Sequence, residues 1–456
     1  AIGASLIASN ISAEQFIGMS GNGFRLGLAI SVYEWLAAVS LVVVAIFFMP
    51  VYLKNKIYTM PQFLKTRYNE TVAMIMAIFW LFLYIFVNLT SILYLGAIAI
   101  NNLSGGTHFH LIMIGLAVFA LFITLGGMKV IGYTDVFQVL VLTVGGLITS
   151  YIALTVVSEQ FGMGKNMVAG FQHLMQAAPD HFKMIFDKPG PGATQKEIED
   201  YSSLPGMAMM VAGIWVAHLN YWGCNQYITQ RALGASLPVA RKGILFAAFL
   251  KMLMPFIIVV PGIAMFYLNS HNLIDASLIN SRNAEGVTIA ESNKAYPALL
   301  TLLPSGIKGV TIAAFAATVV ASLAAKVNSI STIFTLDIYK KIFNKEASES
   351  KLVGIGKITI VISTAIGILL TLGLGDTLMG EGKQGFQYIQ EYTGFVSPGI
   401  FAMFLLGFFW KKTTSNAALF AMIGGFILSV ILKFIPGLID LQPLYHVGLA
   451  VPNAKG

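Results

Sequence analysis

Apolar runs long enough to cross a lipid bilayer alternate with short polar segments along the whole chain. A membrane-spanning helix needs about 20 mostly apolar residues, and eleven runs reach or approach this length. The predicted spans, numbered 1 to 11 in chain order, cover residues 1–19, 27–53, 72–101, 111–128, 133–158, 206–230, 242–269, 307–334, 352–374, 384–410 and 415–435. The pattern therefore predicts an all-α polytopic membrane protein.

Polar residues interrupt two of these spans. Span 1 carries Asn10 to Gln15 between apolar ends, and span 6 carries His218 to Gln226. An unpaired polar group in hydrocarbon costs on the order of several kcal/mol, so both segments are predicted to line something polar. Span 6 follows the long loop 159–205, so spans 1–5 and 6–10 form two sets of five that begin on opposite sides of the membrane. Inverted halves with broken first helices are typical of secondary transporters that bind their solute between the repeats.

Composition supports this class. Of the 456 residues, 57% are hydrophobic and 11% are charged, whereas a soluble domain carries about 25% charged residues. The single cysteine, Cys224, excludes a disulfide framework and a multi-cysteine metal site. Because the chain begins without Met inside an apolar segment, we expect it to be a piece of a longer protein. The predicted units are a first repeat, an outer loop, a second repeat, and an additional helix with a tail: residues 1–158, 159–205, 206–411 and 412–456.

The distribution of Lys and Arg predicts the orientation. Fifteen of them, with Arg231 among the fifteen, lie in the loops after spans 2, 4, 6, 8 and 10, against nine in the opposite loops. Cytoplasmic loops carry the excess of positive charge, so these five loops are predicted to be cytoplasmic. The amphipathic segment from Tyr58 to Arg67 is predicted to lie along the inner surface. The excess of Lys and Arg in the cytoplasmic loops explains the net charge of +8. No nucleic-acid partner is therefore predicted.

Several polar side chains lie within the predicted spans. Glu34 in span 2 and Lys251 in span 7 hold equivalent places in the two halves, and we expect them to share one polar site. The alternative is that each snorkels to an interface. Asn88 in span 3 is either a site residue or an interhelical hydrogen-bond donor. Gln387 and Gln390 either face the cavity or lie at a wetted helix end.

A cation site and a histidine complete the candidates. Unwound carbonyls of span 1 and a hydroxyl of span 8 are oxygen ligands of the kind that a monovalent cation prefers, although Ser and Thr in membrane helices usually bond to their own backbone. Asp135 near the inner end of span 5 is a second cation site, an ion-release residue or a helix N-cap. His218 binds substrate, relays protons or bonds to a carbonyl. No catalytic motif is present, so an enzyme is not predicted.

Several segments resemble the sodium:solute symporter family through nearly the whole chain. They are SLIASNISAEQFIGM, SVYEW, YIFVNLTSILYLG, LGGMKVIGYTDVFQ, YWGCNQYITQRAL, FAAFLK and FQYIQEYTGFVSPG. The resemblance implies a leucine-transporter-type fold with five-plus-five inverted repeats. It implies sodium-driven uptake of a monosaccharide of the galactose or glucose type by alternating access, in a plasma or bacterial inner membrane. The alternative solute is an amino acid, a carboxylate or a sialate-type anion.

The resemblance also implies roles for individual residues. Candidate partners of sugar hydroxyls are Gln15, Glu34, Asn88, Lys251 and Gln390, joined by His218 and Gln387. Tyr221 would stack beneath the sugar as the inner gate. The outer gate would consist of Met19, Tyr33 and Phe386. Sodium would be held by the backbone carbonyls of Ala8, Ile11 and Thr318 and by the Ser322 hydroxyl.

Three residues depart from the pattern of the sugar-transporting branch. His218 stands where that branch has an asparagine that contacts sugar, and Ala37 stands where it has a serine. Ala321 replaces the first member of a serine pair at the sodium site. The first two put the identity of the sugar in question. The third removes one candidate oxygen, so we expect weaker sodium binding.

Overall fold

A computed structural model describes residues 1–11, 14–104, 106–190, 192–204, 206–282, 288–379 and 385–447. Within these ranges, eight helical segments are long and apolar enough to cross a membrane, and the two shorter apolar helices Phe109–Leu125 and Thr393–Phe409 accompany them. The first of the eight, Gln15–Lys54, runs through the end of span 1 and all of span 2. With the helix that precedes it, the eleven predicted spans are accounted for.

The first five spans follow the predicted boundaries closely, except that span 1 continues to Leu26. Their helical parts are Ile2–Asn10, Glu14–Met19 and Ser20–Leu26 for span 1; Gly27–Ser31, Val32–Val43, Val44–Phe48 and Met49–Lys54 for span 2; Glu70–Phe82, Leu83–Leu89 and Thr90–Leu103 for span 3; Phe109–Leu125 for span 4; and Gly127–Gln160 for span 5.

The second set of five and the additional helix also follow the predicted boundaries closely, except that span 8 continues to Phe343. Their helical parts are Gly206–Ala208, Met209–Gly213, Ile214–Cys224 and Gln226–Leu233 for span 6; Leu237–Met254, Pro255–Val259 and Val260–Ser270 for span 7; Ser305–Ile333 and Phe334–Phe343 for span 8; Glu349–Met379 for span 9; Gly385–Phe409 for span 10; and Ser415–Leu419, Phe420–Gly424 and Gly425–Phe434 for span 11.

Smaller elements lie in the loops. The predicted amphipathic segment forms the helix Met60–Arg67, whose N-cap Thr59 accepts a hydrogen bond from the Gln62 amide at 3.2 Å. The loop 159–205 contains Met167–Ala177, Pro179–Phe182 and Gln195–Ser203. The loop 270–306 contains Ala276–Leu278, Ser292–Lys294 and Ala295–Thr301, and a two-stranded antiparallel ribbon of Asn280–Arg282 and Thr288–Ala290. This ribbon is a small departure from the all-α prediction.

Gly27 forms the corner between spans 1 and 2. Its φ of +74° lies in the region that glycine alone adopts readily, and a Cβ there would come within 2.2 Å of the His181 carbonyl oxygen. His181 itself stacks on Phe266, and its Nε2 lies 3.0 Å from the carbonyl oxygen of Phe24. Because a carbonyl oxygen only accepts hydrogen bonds, His181 Nε2 is the donor in this contact. The loop 159–205 is thereby fixed against the corner.

The two broken helices meet near the centre of the bundle. Span 1 packs against span 7, and span 6 packs against span 2. Each broken helix therefore packs against a helix of the other set of five spans. The Asn10 amide nitrogen donates to the Tyr221 hydroxyl at 2.9 Å and joins the two helices directly. This packing between the two sets of spans brings the polar segments of spans 1 and 6 together.

The break in span 6 is narrower than predicted. The helix Ile214–Cys224 continues through His218 and Tyr221, and the chain leaves helical geometry at Asn225, with φ −92° and ψ 127°. Polar residues before this point are accommodated without unwinding, because Asn220, for example, donates to the Ser397 hydroxyl of span 10 at 3.2 Å. The predicted break over 218–226 was therefore too long, because the helix continues to Cys224 and is interrupted at Asn225.

Candidate substrate and ion site

The break in span 1 exposes backbone carbonyls. Its first helix ends at Asn10, and Ile11 is extended with φ −78° and ψ 118°. The last carbonyls of a helix have no partner within the helix and carry the negative end of its dipole. The Ser322 hydroxyl of span 8 donates to the Ile11 carbonyl at 3.0 Å and lies 3.5 Å from that of Ala8. These buried oxygens form a group that suits a hard alkali cation.

Thr318 lies one helical turn before Ser322 and is buried like it. Its hydroxyl donates to the Ala314 carbonyl of its own helix at 2.8 Å, which is the ordinary behaviour of threonine in membrane helices. Only its backbone carbonyl is therefore a candidate ion ligand. Three of the four predicted sodium residues, Ala8, Ile11 and Ser322, are in direct contact.

Glu34 and Lys251 form a buried ion pair. The Lys251 ammonium lies 2.7 Å from Glu34 Oε2 and 2.9 Å from Oε1, and both side chains are 2% exposed or less. The Gln15 amide nitrogen donates to Glu34 Oε1. Lys251 also faces the ring of Trp222, at 5.5 Å from the ring centre. The predicted proximity of the two charges is thus present, and snorkelling to an interface is excluded.

A small cavity of about 70 Å³ opens beside this pair. Its walls come from spans 1, 2, 6, 7 and 10 and include Asn10, Gln15, Met19, Tyr33, Glu34, Ala37, His218, Tyr221, Trp222, Lys251 and Gln390. His218 lies edge-on to Tyr33, with ring centres 6.0 Å apart. Among the described residues, none hydrogen-bonds to its buried Nε2. Amide, carboxylate, ammonium and imidazole groups therefore converge on one cavity.

The profile of the sodium:solute symporter family matches residues 1–425 of this chain, which includes every element of the site. This chain belongs to the sodium:solute symporter family. The symporter is accordingly an integral membrane transport protein and not an enzyme, and sodium is the ion that drives its family.

Similar proteins extend this finding. The sodium/glucose cotransporter of Vibrio parahaemolyticus is 47% identical over 438 residues, which cover 96% of the symporter and 77% of that protein. Sodium/myo-inositol cotransporter 2 of Oryctolagus cuniculus is 31% identical over 455 residues, covering 98% and 65% of the two chains. Sodium/glucose cotransporter 1 of Mus musculus is 31% identical over 449 residues, covering 94% and 64%. The symporter thus spans just under two thirds of the length of these mammalian relatives.

A solved structure supports the fold. The substrate-bound, outward-open state of a Na⁺-coupled sialic acid symporter superimposes with a TM-score of 0.75, over 96% of this chain and 89% of that one. Sequence identity between the two is 19%, so the likeness concerns the fold alone. It confirms the predicted polytopic helical fold of the leucine-transporter type.

Some predicted site residues of the symporter lie apart from the cavity. Asn88 occupies a wide helical turn, Leu83–Leu89, and its amide nitrogen donates to the Leu83 carbonyl at 3.1 Å. It is not among the residues of the cavity wall, and the described contact is within its own helix rather than between helices. The side chains of Phe386 and Gln387 lie outside the described part of the chain.

Asp135 of the symporter is paired with a buried arginine. Its Oδ2 lies 2.9 Å from Nη1 of Arg231 and accepts a hydrogen bond from the Ser5 hydroxyl. Because the helix begins at Gly127, Asp135 lies well inside it, and the expected N-cap was wrong. Arg231 belongs to the helix Gln226–Leu233 rather than to a loop, so counting it with the loop cations was also wrong.

Two residues near the site were missed from the sequence. Tyr227 donates through its hydroxyl to the Tyr221 hydroxyl, and the Lys326 ammonium lies 5.0 Å from the centre of the Tyr227 ring. Lys326 is a charged residue within the apolar run Leu323–Val327 of span 8. The rule that marked Glu34 and Lys251 applies to Lys326 as well and could have found it.

Proposed function

We propose that this symporter couples uptake of a monosaccharide or a similar cyclic polyol to sodium entry by alternating access. One observation carries the proposal: the break in span 1 serves two neighbouring sites. The Ile11 carbonyl contacts Ser322 at the candidate ion site, and Gln15, four residues later, contacts Glu34 at the cavity. Residues on the two sides of one break therefore contact both candidate sites, and a movement at this break would be felt at both.

The ion half of the site would bind sodium through four oxygens. Three are the backbone carbonyls of Ala8, Ile11 and Thr318, and the fourth is the Ser322 hydroxyl. Bound sodium would hold span 1 against span 8 and stabilise the outward-open state. Coupling then requires that each ligand binds one conformation better than the other.

The cavity would bind the solute through groups that match sugar hydroxyls. Gln15 and Gln390 offer amide donors and acceptors, and the Glu34–Lys251 pair offers a balanced acceptor and donor. His218 contributes a further ring nitrogen. Tyr221 would lie beneath the apolar face of the ring as the inner gate, and Met19 and Tyr33, with Phe386, would form the outer gate.

An anionic solute is the second candidate, since the fold neighbour named above binds sialic acid. A carboxylate requires an uncompensated cation or an open helix N-terminus. The Lys251 ammonium is already neutralised by Glu34 at 2.7 Å. The charge balance therefore favours a neutral polyol, in agreement with the glucose and myo-inositol in the names of the relatives.

We also infer the orientation in a plasma or bacterial inner membrane. With the buried, ion-paired Arg231 removed from the count, fourteen of the original fifteen cations lie in the loops after spans 2, 4, 6, 8 and 10 or in the helix ends that adjoin these loops, against nine opposite. These loops are assigned to the cytoplasm. Asp135 is assigned to a pair with Arg231, called the closed pair, in which the guanidinium and the Ser5 hydroxyl both contact Oδ2. Among the described residues, none hydrogen-bonds to its Oδ1.

Uptake into proteoliposomes tests the proposed function. Radiolabelled galactose or glucose should accumulate with an inward sodium gradient and not with an equal potassium gradient. Competition identifies the solute: unlabelled galactose, glucose, myo-inositol, proline and sialic acid are added in turn. The same competition series is then repeated with the His218→Asn variant. Ser322→Ala should abolish the sodium dependence. Equal uptake in both gradients, or competition by anions alone, would overturn the proposal.

A further inference from the structure

The face of span 8 that carries the candidate ion site continues along the helix with two more polar side chains. Ser322, Lys326 and Ser329 are separated by four and three residues, a spacing that aligns them on one side of a helix. All three are buried, with Lys326 only 3% exposed. A charged side chain within a membrane span marks a functional position by default, and the transport cycle above gives Lys326 no task.

The element facing Lys326 and Ser329 is the second half of span 6, Gln226–Leu233. The Lys326 ammonium lies 5.0 Å from the centre of the Tyr227 ring, and the Gln230 amide donates to the Ser329 hydroxyl at 2.6 Å. Tyr227 and Gln230 are three residues apart, as are Lys326 and Ser329. The two contacts are therefore in register, and together they fix this half-helix to span 8.

The contact continues to the cavity through Tyr227. Its hydroxyl donates to the hydroxyl of Tyr221, on the other side of the span 6 break. Tyr221 lines the cavity, and its hydroxyl also accepts from the Asn10 amide of span 1. Side chains in contact thus lead from the helix of the ion site, through Lys326 and Tyr227, to the inner wall of the cavity.

We propose that Lys326 is a positioning residue that transmits the state of the sodium site to the Tyr221 gate. When sodium draws span 8 against span 1, Lys326 holds the Tyr227 ring to span 8, and the two hydroxyls keep Tyr221 across the inner side of the cavity. This inference rests on the proposed ion site. It does not depend on which solute fills the cavity.

Cys224, the single cysteine, provides a readout that needs no solute. It is fully buried and follows Tyr221 by three residues, next to the break. The rate of Cys224 alkylation by N-ethylmaleimide is measured on the reconstituted chain, in sodium chloride and in an equal concentration of choline chloride. Sodium should slow alkylation of the unmodified chain about tenfold, by depleting the state in which the gate is open.

Lys326→Met, which removes the charge and keeps a long side chain, should reduce this protection to about twofold or less. Binding of radioactive sodium should persist in this variant. Lys326→Arg, which keeps a cation over the ring, should retain most of the protection. Tyr227→Phe keeps the ring and loses the hydroxyl contact, so it should match Lys326→Met. The double variant should be no worse than either, as expected for one continuous path.

Ser331→Ala is the matched control. Ser331 is a buried hydroxyl of the same helix, but it donates to the Gly356 carbonyl of span 9 at 2.9 Å. In Ser331→Ala, sodium should protect Cys224 from alkylation as fully as in the unmodified chain. The inference is overturned if Lys326→Met keeps the protection, if Ser331→Ala loses it equally, or if sodium leaves Cys224 alkylation of the unmodified chain unchanged. Sodium protection without sodium-driven sugar uptake would count against the proposed function alone.

Discussion

Two ion pairs of the described chain are almost fully buried, and they differ in what surrounds them. Glu34 and Lys251 approach to 2.7 Å, and Asp135 and Arg231 approach to 2.9 Å. The four side chains are 2% exposed or less. By distance and burial alone, the two pairs are equivalent.

Their neighbours separate them. The Glu34–Lys251 pair lies in the wall of a cavity beside Gln15. The Asp135–Arg231 pair is closed by Ser5, whose hydroxyl donates to Asp135 and accepts from Arg231 Nη1 at 3.0 Å. A solute could exchange hydrogen bonds with the first pair, whereas the residues of the second pair are not among those that line this cavity. Burial and pairing mark an expensive charge, whereas a binding site also needs open space and further polar groups.

Removing one member of the closed pair should have the largest effect. Asp135→Ala leaves the Arg231 guanidinium buried without its carboxylate, and breaking a buried pair costs about 3–5 kcal/mol. The melting temperature in detergent and the yield of monodisperse protein should fall. Asp135→Ala combined with Arg231→Leu should recover most of the loss. If Asp135→Ala were as stable as the unmodified chain, this pair would not have the proposed structural role.

In the cavity pair, the effect should fall on binding. Glu34→Gln retains hydrogen-bond acceptors for Lys251 and Gln15 but loses the charge. A hydrogen bond to a charged group is worth about 1.5–3 kcal/mol, so apparent sugar affinity should weaken by about tenfold to a hundredfold. Displacement of labelled galactose measures this. If the solute were a carboxylate, Glu34→Gln would leave its transport intact. If Glu34→Gln lost as much stability as Asp135→Ala, the two pairs would not differ in role.

Ser5→Ala should give a smaller effect that separates the pairs again. The variant loses the hydroxyl that bridges Asp135 and Arg231, so the free energy of unfolding should fall by about 1 kcal/mol. Sugar affinity at saturating sodium should stay unchanged, since Ser5 is not among the cavity residues. Weakened sugar binding in a variant of normal stability would link the closed pair to the cavity.

Ala321→Ser should have the smallest effect, and neither pair should respond to it. Ala321 is buried immediately before Ser322, and a serine there adds an oxygen near the proposed sodium. Sodium affinity should rise about threefold, within the range of one additional polar contact. Binding of radioactive sodium measures the change. An unchanged affinity would mean that the alanine does not weaken the ion site.

The spans and the first break could be predicted because they depend on local composition. Apolar runs of bilayer length and a polar segment within one of them are visible in the sequence itself. The span 6 break was placed too broadly, since polar residues such as His218 and Asn220 face the cavity or span 10 from a regular helix. Polarity in a membrane helix therefore marks a polar surface, and it does not by itself mark unwinding.

Contacts between distant segments were harder to predict. Asp135 and Arg231 are 96 residues apart. In the predicted spans, Asp135 lies near the start of span 5 and Arg231 just beyond the end of span 6, where an N-cap and a loop cation are the usual assignments. Only the packing of spans 1, 5 and 6 brings them together. Glu34 and Lys251 were paired correctly because the inverted repeat gave them equivalent positions. No such symmetry relates Lys326 to Tyr227.

Equilibrium binding on the purified chain tests the central claim that one segment of span 1 couples the two ligands. Galactose affinity is measured with and without sodium, and sodium affinity with and without galactose. Thermodynamic linkage requires the two factors to be equal, and we predict that each is about tenfold or more. Ser322→Ala should bring both factors close to one. Sugar binding that is the same with and without sodium would contradict the account.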